Sequence, residues 1–115
     1  MIETKKNRRF EVAVVGVTFE GRQGILANLC AMQKESTELT GRLKRESDNR
    51  YDSNAVAVEV EGKQIGYVPK ALAAKLAVHI DAGETIDVVG VRIIEGNKDG
   101  DSVYGVRIDV EMEEM

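Results

Sequence analysis

Five aromatic side chains occur in the chain, and three of them stand where a regular segment gives way to a loop. Phe19 follows an apolar, β-branched run, in Gly16-Val17-Thr18-Phe19-Glu20-Gly21-Arg22-Gln23. Tyr51 lies in the polar stretch Ser47 to Asn54, beside Asp52, and Tyr67 comes just before Pro69 and Lys70. A ring at a strand end can lie over the core as a lid. A ring beside Lys or Arg is also what an unpaired nucleic-acid strand needs. Bases stack on aromatic faces at roughly 1–3 kcal/mol per base, and phosphates take cations and helix N-termini. Lys70 falls in the first turn of one expected helix, and Arg22 and Gln23 open another. Each such end has unpaired backbone N–H groups and the positive pole of the helix dipole. Asp52 is the odd member, because a carboxylate repels phosphate. It fits if it accepts a hydrogen bond from a sugar hydroxyl, so that a free strand end is preferred over an internal phosphate. An Asp in a turn equally well caps its own backbone.

Catalytic and metal chemistry have weaker support. The single histidine, His79, leaves no Ser–His–Asp arrangement and falls in an expected helix, where shielding the helix end or facing solvent explains it. The single cysteine, Cys30, can form neither an internal disulfide nor a multi-thiolate metal site, and its place in a helical apolar stripe suits a packed, inert thiol. Asp48 and Asp52 share a loop with Asn49 and Asn54, enough oxygen for a hard cation, but the glycine and closing glutamate of a calcium loop are missing. The run Asn97-Lys98-Asp99-Gly100-Asp101 is similar in composition, and a hairpin turn accounts for it. No G-x-x-x-x-G-K-[ST] loop for nucleotide hydrolysis is present. The expectation is therefore no catalytic residue, no cofactor and no metal.

The elements that must hold these residues follow from hydrophobic periodicity. Phe10 to Val17 alternates in its first half and reads as a strand. Ile25, Leu26, Leu29 and Met32 recur at helical spacing, giving a short amphipathic helix over Arg22 to Met32. Glu38 to Arg45 reads as a strand, Ala55 to Val60 as another, and Glu61-Gly62 as a tight turn into a strand over Lys63 to Val68. Pro69 suits a first helical position, and the helix it opens runs to about Asp81, with Leu72, Leu76 and Ile80 as its buried stripe and Gly83 past its end. Ala73 and Ala77 let that helix lie close to a sheet. Thr85 to Ile94 and Ser102 to Met112 are two further strands, the last with Tyr104, Val106, Ile108 and Val110 on one face. The order is β-α-β-β-β-α-β-β. Most connections are too short for parallel crossovers, so a small, mainly β domain is expected, a strongly curved sheet or a partly closed barrel with two short helices.

A chain of 115 residues has room for one core. Hydrophobic residues at 43% and charged residues at 31% exclude a disordered segment, and no apolar run approaches a membrane span. No segment resembles a signal peptide, so a cytoplasmic location is expected. The net charge of −4 argues against a protein that coats nucleic acid indiscriminately, yet it is unevenly spread: residues 1–50 carry +3 and residues 51–115 carry −7. Residues 1–9 read as a flexible basic arm, 10–112 as a single domain, and 113–115 as an acidic tail.

Three linked stretches carry a family resemblance. Val14-Val15-Gly16-Val17-Thr18-Phe19-Glu20-Gly21-Arg22-Gln23 is similar to the opening motif of the HIRAN family. Arg45-Glu46, followed by Asn49-Arg50-Tyr51-Asp52-Ser53-Asn54-Ala55-Val56-Ala57-Val58, resembles its central motif. Gln64-Ile65-Gly66-Tyr67-Val68-Pro69-Lys70, followed by Leu72-Ala73, resembles its third. Order and spacing match over about residues 10–110. The resemblance implies an OB-like barrel with two helices that binds the 3′ end of single-stranded DNA. Phe19 would stack on a base, Tyr51 would pack at the terminal nucleotide, Asp52 would accept the 3′-hydroxyl, and Lys70 and Tyr67 would contact phosphate. Thr18 and Glu20 stand where DNA-binding eukaryotic members resemble a basic and an aromatic residue, and Tyr67 where they can have histidine. The first change removes a cation and adds an anion beside the pocket, which bears on affinity more than on fold.

The expected function is a non-enzymatic single-stranded DNA-binding module, recognising the 3′ end and supporting DNA repair or fork processing alongside DNA-processing enzymes, with no membrane partner. Its nucleic-acid-binding residues are Phe19, Arg22, Gln23, Tyr51, Asp52, Tyr67 and Lys70. Two alternatives stay open: a protein–protein adaptor on the same barrel, and a small metal-dependent nuclease using Asp48 and Asp52.

Overall fold

A computed structural model describes residues 7–19, 21–98 and 101–113. Six strands and two helices follow in the order β1 (Asn7–Ala13), α1 (Arg22–Lys34), β2 (Gly41–Arg45), β3 (Val56–Val60), β4 (Lys63–Tyr67), α2 (Lys70–Asp81), β5 (Ile86–Lys98) and β6 (Asp101–Glu113). The strands form two three-stranded antiparallel sheets, β1-β6-β5 and β2-β3-β4. The result is a mainly β, partly closed OB-like fold, mainly β as the periodicity implies and OB-like as the family resemblance implies, and not a closed barrel.

The strand expected over Phe10 to Val17 is shorter and does two jobs. Its pairing with β6 ends at Ala13↔Arg107, and Val14 N–H adds one more bond to Val106 O at 3.0 Å. The chain then leaves that sheet. Val15 exchanges both backbone bonds with Tyr67, each 2.9 Å, so it belongs to the edge of the other sheet. This crossing from one sheet to the other partly closes the barrel. Gly66 permits it, because a Cβ there would sit 2.4 Å from Val15 O. A second close approach lies where β2 meets β5: a Cβ on Gly41 would come within 2.9 Å of Val91 Cγ2.

The core sits between the sheets and the helices. Val56, Val58 and Val60 of β3, Ile65 of β4, Leu26 of α1, Leu76 of α2, and Ile108 and Val110 of β6 are all fully buried. Cys30 is a buried free thiol in α1. In α2 the most buried positions are Ala73, Leu76 and Ala77, with Leu72 and Ile80 half-buried beside them. The two alanines thus form the centre of the packed face, because α2 lies against β3.

The ends of the elements follow local rules. Pro69 is the N-cap of α2 (ψ 140°), one residue before its expected place, and Lys70 is the first helical residue. Gly83, at φ +85°, closes α2 with bonds from Gly83 N–H to Ile80 O and from Glu84 N–H to His79 O, both 3.0 Å. His79 reaches past this end to the Glu84 carboxylate. α1 runs two residues beyond the expected Met32 and ends in the same way, with Thr37 N–H to Met32 O at 3.1 Å and Ser36 in the left-handed position. Glu61 and Gly62 both have positive φ, the twisted two-residue turn that joins β3 to β4. β5 and β6 are longer than expected, because Glu95 to Lys98 pair with Asp101 to Tyr104 without apolar alternation to signal it. β1 begins at Asn7, so Arg8 and Arg9, read as part of a basic arm, lie in a strand paired with β6. Residues 1–6, Glu20, residues 99–100, where a hairpin turn is expected, and residues 114–115 lie outside the described residues.

Candidate functional site

Two turns and one ordered loop surround an open groove. Past Val15, Gly16 adopts φ +75°, and the turns Phe19 N–H to Gly16 O and Arg22 N–H to Phe19 O carry the chain into α1. These turns leave the Phe19 ring 64% exposed and bring Arg22 back over the strand crossing. Arg22 Nη1 donates to Gly16 O at 2.7 Å. Its guanidinium carbon lies 5.9 Å from the Phe19 ring centre and 5.6 Å from that of Tyr67. A guanidinium at such distances is attracted by both ring faces.

The opposite wall is the segment between β2 and β3. Asn49 organises it. Its Oδ1 accepts Tyr51 N–H at 2.9 Å and Asp52 N–H at 3.1 Å, and its Nδ2 donates to Glu46 Oε1 at 3.0 Å. Glu46 Oε1 also accepts the Tyr67 hydroxyl at 2.8 Å. Asp52 Oδ1 takes Asn54 N–H at 2.9 Å, the backbone-capping role open to any Asp in a turn, while Oδ2 makes no hydrogen bond among the described residues. Tyr51 is held by its backbone alone: its side chain is 95% exposed. Arg45 fastens the whole segment from below. It forms a two-pronged ion pair with Asp81 of α2 (3.1 and 3.2 Å) and donates to Ser53 O at 2.7 Å. At 16% side-chain exposure, it is a brace rather than a reaching group.

The groove between these walls has a volume of about 620 Å³, within the range of sites that enclose a small organic molecule. Phe19, Arg22, Tyr51, Asp52, Tyr67 and Lys70, all expected as site residues, line it together. Asn49, Val15, Gly16, Ala55 and Val68 complete the lining. Lys70 is exposed and, like Arg22, makes no ion pair among the described residues. It opens α2, whose first turn has neither an acidic residue nor a side-chain cap, so the helix pole beside the groove is unneutralised.

Gln23 is not in the groove lining. Its Nε2 donates to Val17 O at 3.0 Å and Tyr104 O at 2.9 Å, and its Oε1 accepts Tyr104 N–H at 2.8 Å. Those bonds tie the start of α1 to β6. Glu46, Asn49 and Arg45 escaped identification as site residues. The signal was their place in the central motif, two to six residues ahead of Tyr51, but the partners of Glu46 and Arg45, Tyr67 and Asp81, are far along the chain. Among the described residues, no group of three or more His, Cys, Asp or Glu side chains is placed to hold a metal ion. No helix among them is long and apolar enough to cross a membrane.

Comparison with known proteins agrees with this architecture. The HIRAN domain of human HLTF superposes with a TM-score of 0.55 at 21% identity, covering 92% of this chain and 77% of that one. A protein from Lactobacillus plantarum gives a TM-score of 0.52 at 19% identity, covering 96% of this chain and all of the other. These likenesses are of fold. None of the curated proteins matches the chain. The family model for the HIRAN domain matches residues 7–113, from the first residue of β1 to the last of β6, and the chain therefore belongs to the HIRAN domain family.

Proposed function

We propose that the groove takes the 3′ end of single-stranded DNA and that the protein works as a non-enzymatic binding module in DNA repair or fork processing. HIRAN domains are DNA-binding rather than catalytic domains. One observation carries the finer reading: Phe19, Tyr51, Asp52 and Lys70, from three separate parts of the chain, line one groove. Exposed rings on its two walls supply stacking surfaces for the last bases. Arg22 and Lys70 supply charge for the phosphate between them. Asp52 Oδ2 is then the acceptor for a terminal hydroxyl. A phosphate at the same place would meet a like charge, which is the source of preference for a free end.

The test is fluorescence anisotropy with short single-stranded oligonucleotides bearing a 3′-hydroxyl or a 3′-phosphate. The hydroxyl form should bind at least tenfold more tightly, and Asp52→Asn should narrow that ratio more than it lowers affinity for the hydroxyl form. Equal binding of the two forms by the unaltered protein overturns end recognition. No binding of either, or of a duplex with a recessed end, overturns the nucleic-acid reading in favour of an adaptor for protein partners.

A further inference from the structure

The loop that carries Tyr51 has a second concave side. Across Tyr51 and Asn49 from the groove lies a second depression of about 470 Å³, lined also by Lys44, Arg45, Glu46, Asp48 and Arg50. Its surface is mainly polar. Tyr51 and Asn49 line both hollows, so the Tyr51 ring stands on the ridge between them.

Five of the eight arginines, Arg9, Arg42, Arg45, Arg92 and Arg107, are matched with a carboxylate, while Arg8, Lys63 and Lys75, like the cations at this loop, are exposed and make no ion pair among the described residues. Lys44 and Arg50 are exposed and make no ion pair among the described residues, as is true of Arg22 and Lys70 in the groove. Asp48 is the opposing charge. Glu46, the other carboxylate nearby, has one oxygen committed to Tyr67 and Asn49.

We propose that this depression is a second subsite, which takes the phosphates of the nucleotides upstream of the bound end as a single strand passes over Tyr51. This rests on the 3′-end reading of the groove. The groove, at about 620 Å³, is on the scale of one small organic molecule, so a longer strand has to leave it. The ridge at Tyr51 gives it a flat ring to cross, and Lys44 and Arg50 give its backbone two cations on the far side. Asp48 and Glu46 weaken the subsite without cancelling it, two carboxylates against Lys44, Arg50 and the Asp81-paired Arg45. A strand so held gains affinity with length by an electrostatic route, which salt abolishes.

The experiment titrates thymidine oligomers of two and of eight nucleotides, each with a free 3′-hydroxyl, across a series of salt concentrations. The eight-nucleotide oligomer should bind more tightly than the dinucleotide. The double variant Lys44→Glu, Arg50→Glu should remove that gain and lower the logarithmic salt slope of the longer oligomer by about 1.4, from two lost phosphate contacts on a single strand. Dinucleotide binding should change less than twofold. Asp48→Asn should move the longer oligomer the other way, to tighter binding. Equal affinity of the two lengths, or a double variant whose longer oligomer binds with unchanged affinity and slope, overturns the second subsite and leaves end recognition standing. Failure of the unaltered protein to bind either oligomer overturns both.

Discussion

The Tyr67 hydroxyl, at the end of β4, donates to Glu46 Oε1 at 2.8 Å, although 21 residues separate them. The same oxygen accepts Asn49 Nδ2, and Asn49 in turn fixes the backbone N–H groups of Tyr51 and Asp52. One carboxylate thus couples the two walls of the groove. Glu46→Ala should leave the Asn49 amide and the Tyr67 hydroxyl without their partner, at a cost of about 1–2 kcal/mol in unfolding free energy. Glu46→Gln keeps an acceptor and should cost less. If the coupling positions Asp52, the alanine variant should also lose the difference between hydroxyl- and phosphate-ended oligonucleotides. Anisotropy with both oligonucleotides, beside a urea titration, separates this from simple loss of stability.

The crossing of Val15 onto β4 depends on the missing side chain at Gly66. Gly66→Ala brings a Cβ to 2.4 Å from a backbone carbonyl that cannot rotate away. The two strands must part, at about 1–3 kcal/mol, and the Arg22–Tyr67 contact must loosen with them. Gly24 is the contrast. It lies inside α1 with open space where a Cβ would go, so Gly24→Ala should stabilise the protein by about 0.5–1 kcal/mol. Urea unfolding of the two variants should shift in opposite directions.

Much of the fold was legible because burial has a period. Val56, Val58 and Val60, and Val106, Ile108 and Val110, alternate in sequence and are buried in the structure. Leu26 and Leu29 mark the inner face of α1 in the same way. The departure of Val15 to the other sheet was not legible, since apolar alternation is the same whichever neighbour the strand pairs with. Gln23 shows a similar limit at the site. A polar residue at a helix start reads alike whether its amide meets a ligand or, as here, grips Tyr104. The Arg45–Asp81 pair was hidden by distance along the chain. The aromatic and charged groove residues were legible because their types conflict with a purely packing role at loop positions.

Ser36 ends α1 with φ 65°, a conformation that costs an L-residue more than glycine. The closing bond from Thr37 N–H to Met32 O keeps it there. Ser36→Gly should therefore raise unfolding free energy by about 0.5–1 kcal/mol, with the gain in steric relief exceeding the added chain entropy of the unfolded state. A thermal melt of the variant should shift upward, with oligonucleotide binding unchanged.

Glu11 sits on the outer face of the β1-β6-β5 sheet between two arginines. The Arg92 guanidinium, and then that of Arg107, hold its carboxyl below the usual carboxylate range. A carboxylate with a depressed folded-state pKa adds stability above its unfolded value and loses that contribution as pH falls through the folded value. Glu11→Gln should therefore have a lower melting temperature than the unaltered protein at pH 7. The gap should stay level down to about pH 5 and close at more acid pH. A gap that widens in acid would assign the effect to something other than this carboxylate.

Tyr51 offers the sharpest separation of folding from binding. Its side chain is 95% exposed, and its backbone N–H is held by Asn49 whatever the side chain is. Tyr51→Ala should leave the unfolding free energy within about 0.5 kcal/mol of the original. A base that stacks on the ring contributes roughly 1–3 kcal/mol, so affinity for a single-stranded 3′ end should fall about tenfold or more. Tyr51→Phe keeps the flat face and should bind nearly as well as the unaltered protein. If the phenylalanine variant loses as much as the alanine variant, the hydroxyl and not the ring face makes the contact, and stacking at this position is wrong. If neither loses anything, the exposed ring has no base upon it, and the end of the strand must lie against Phe19 alone.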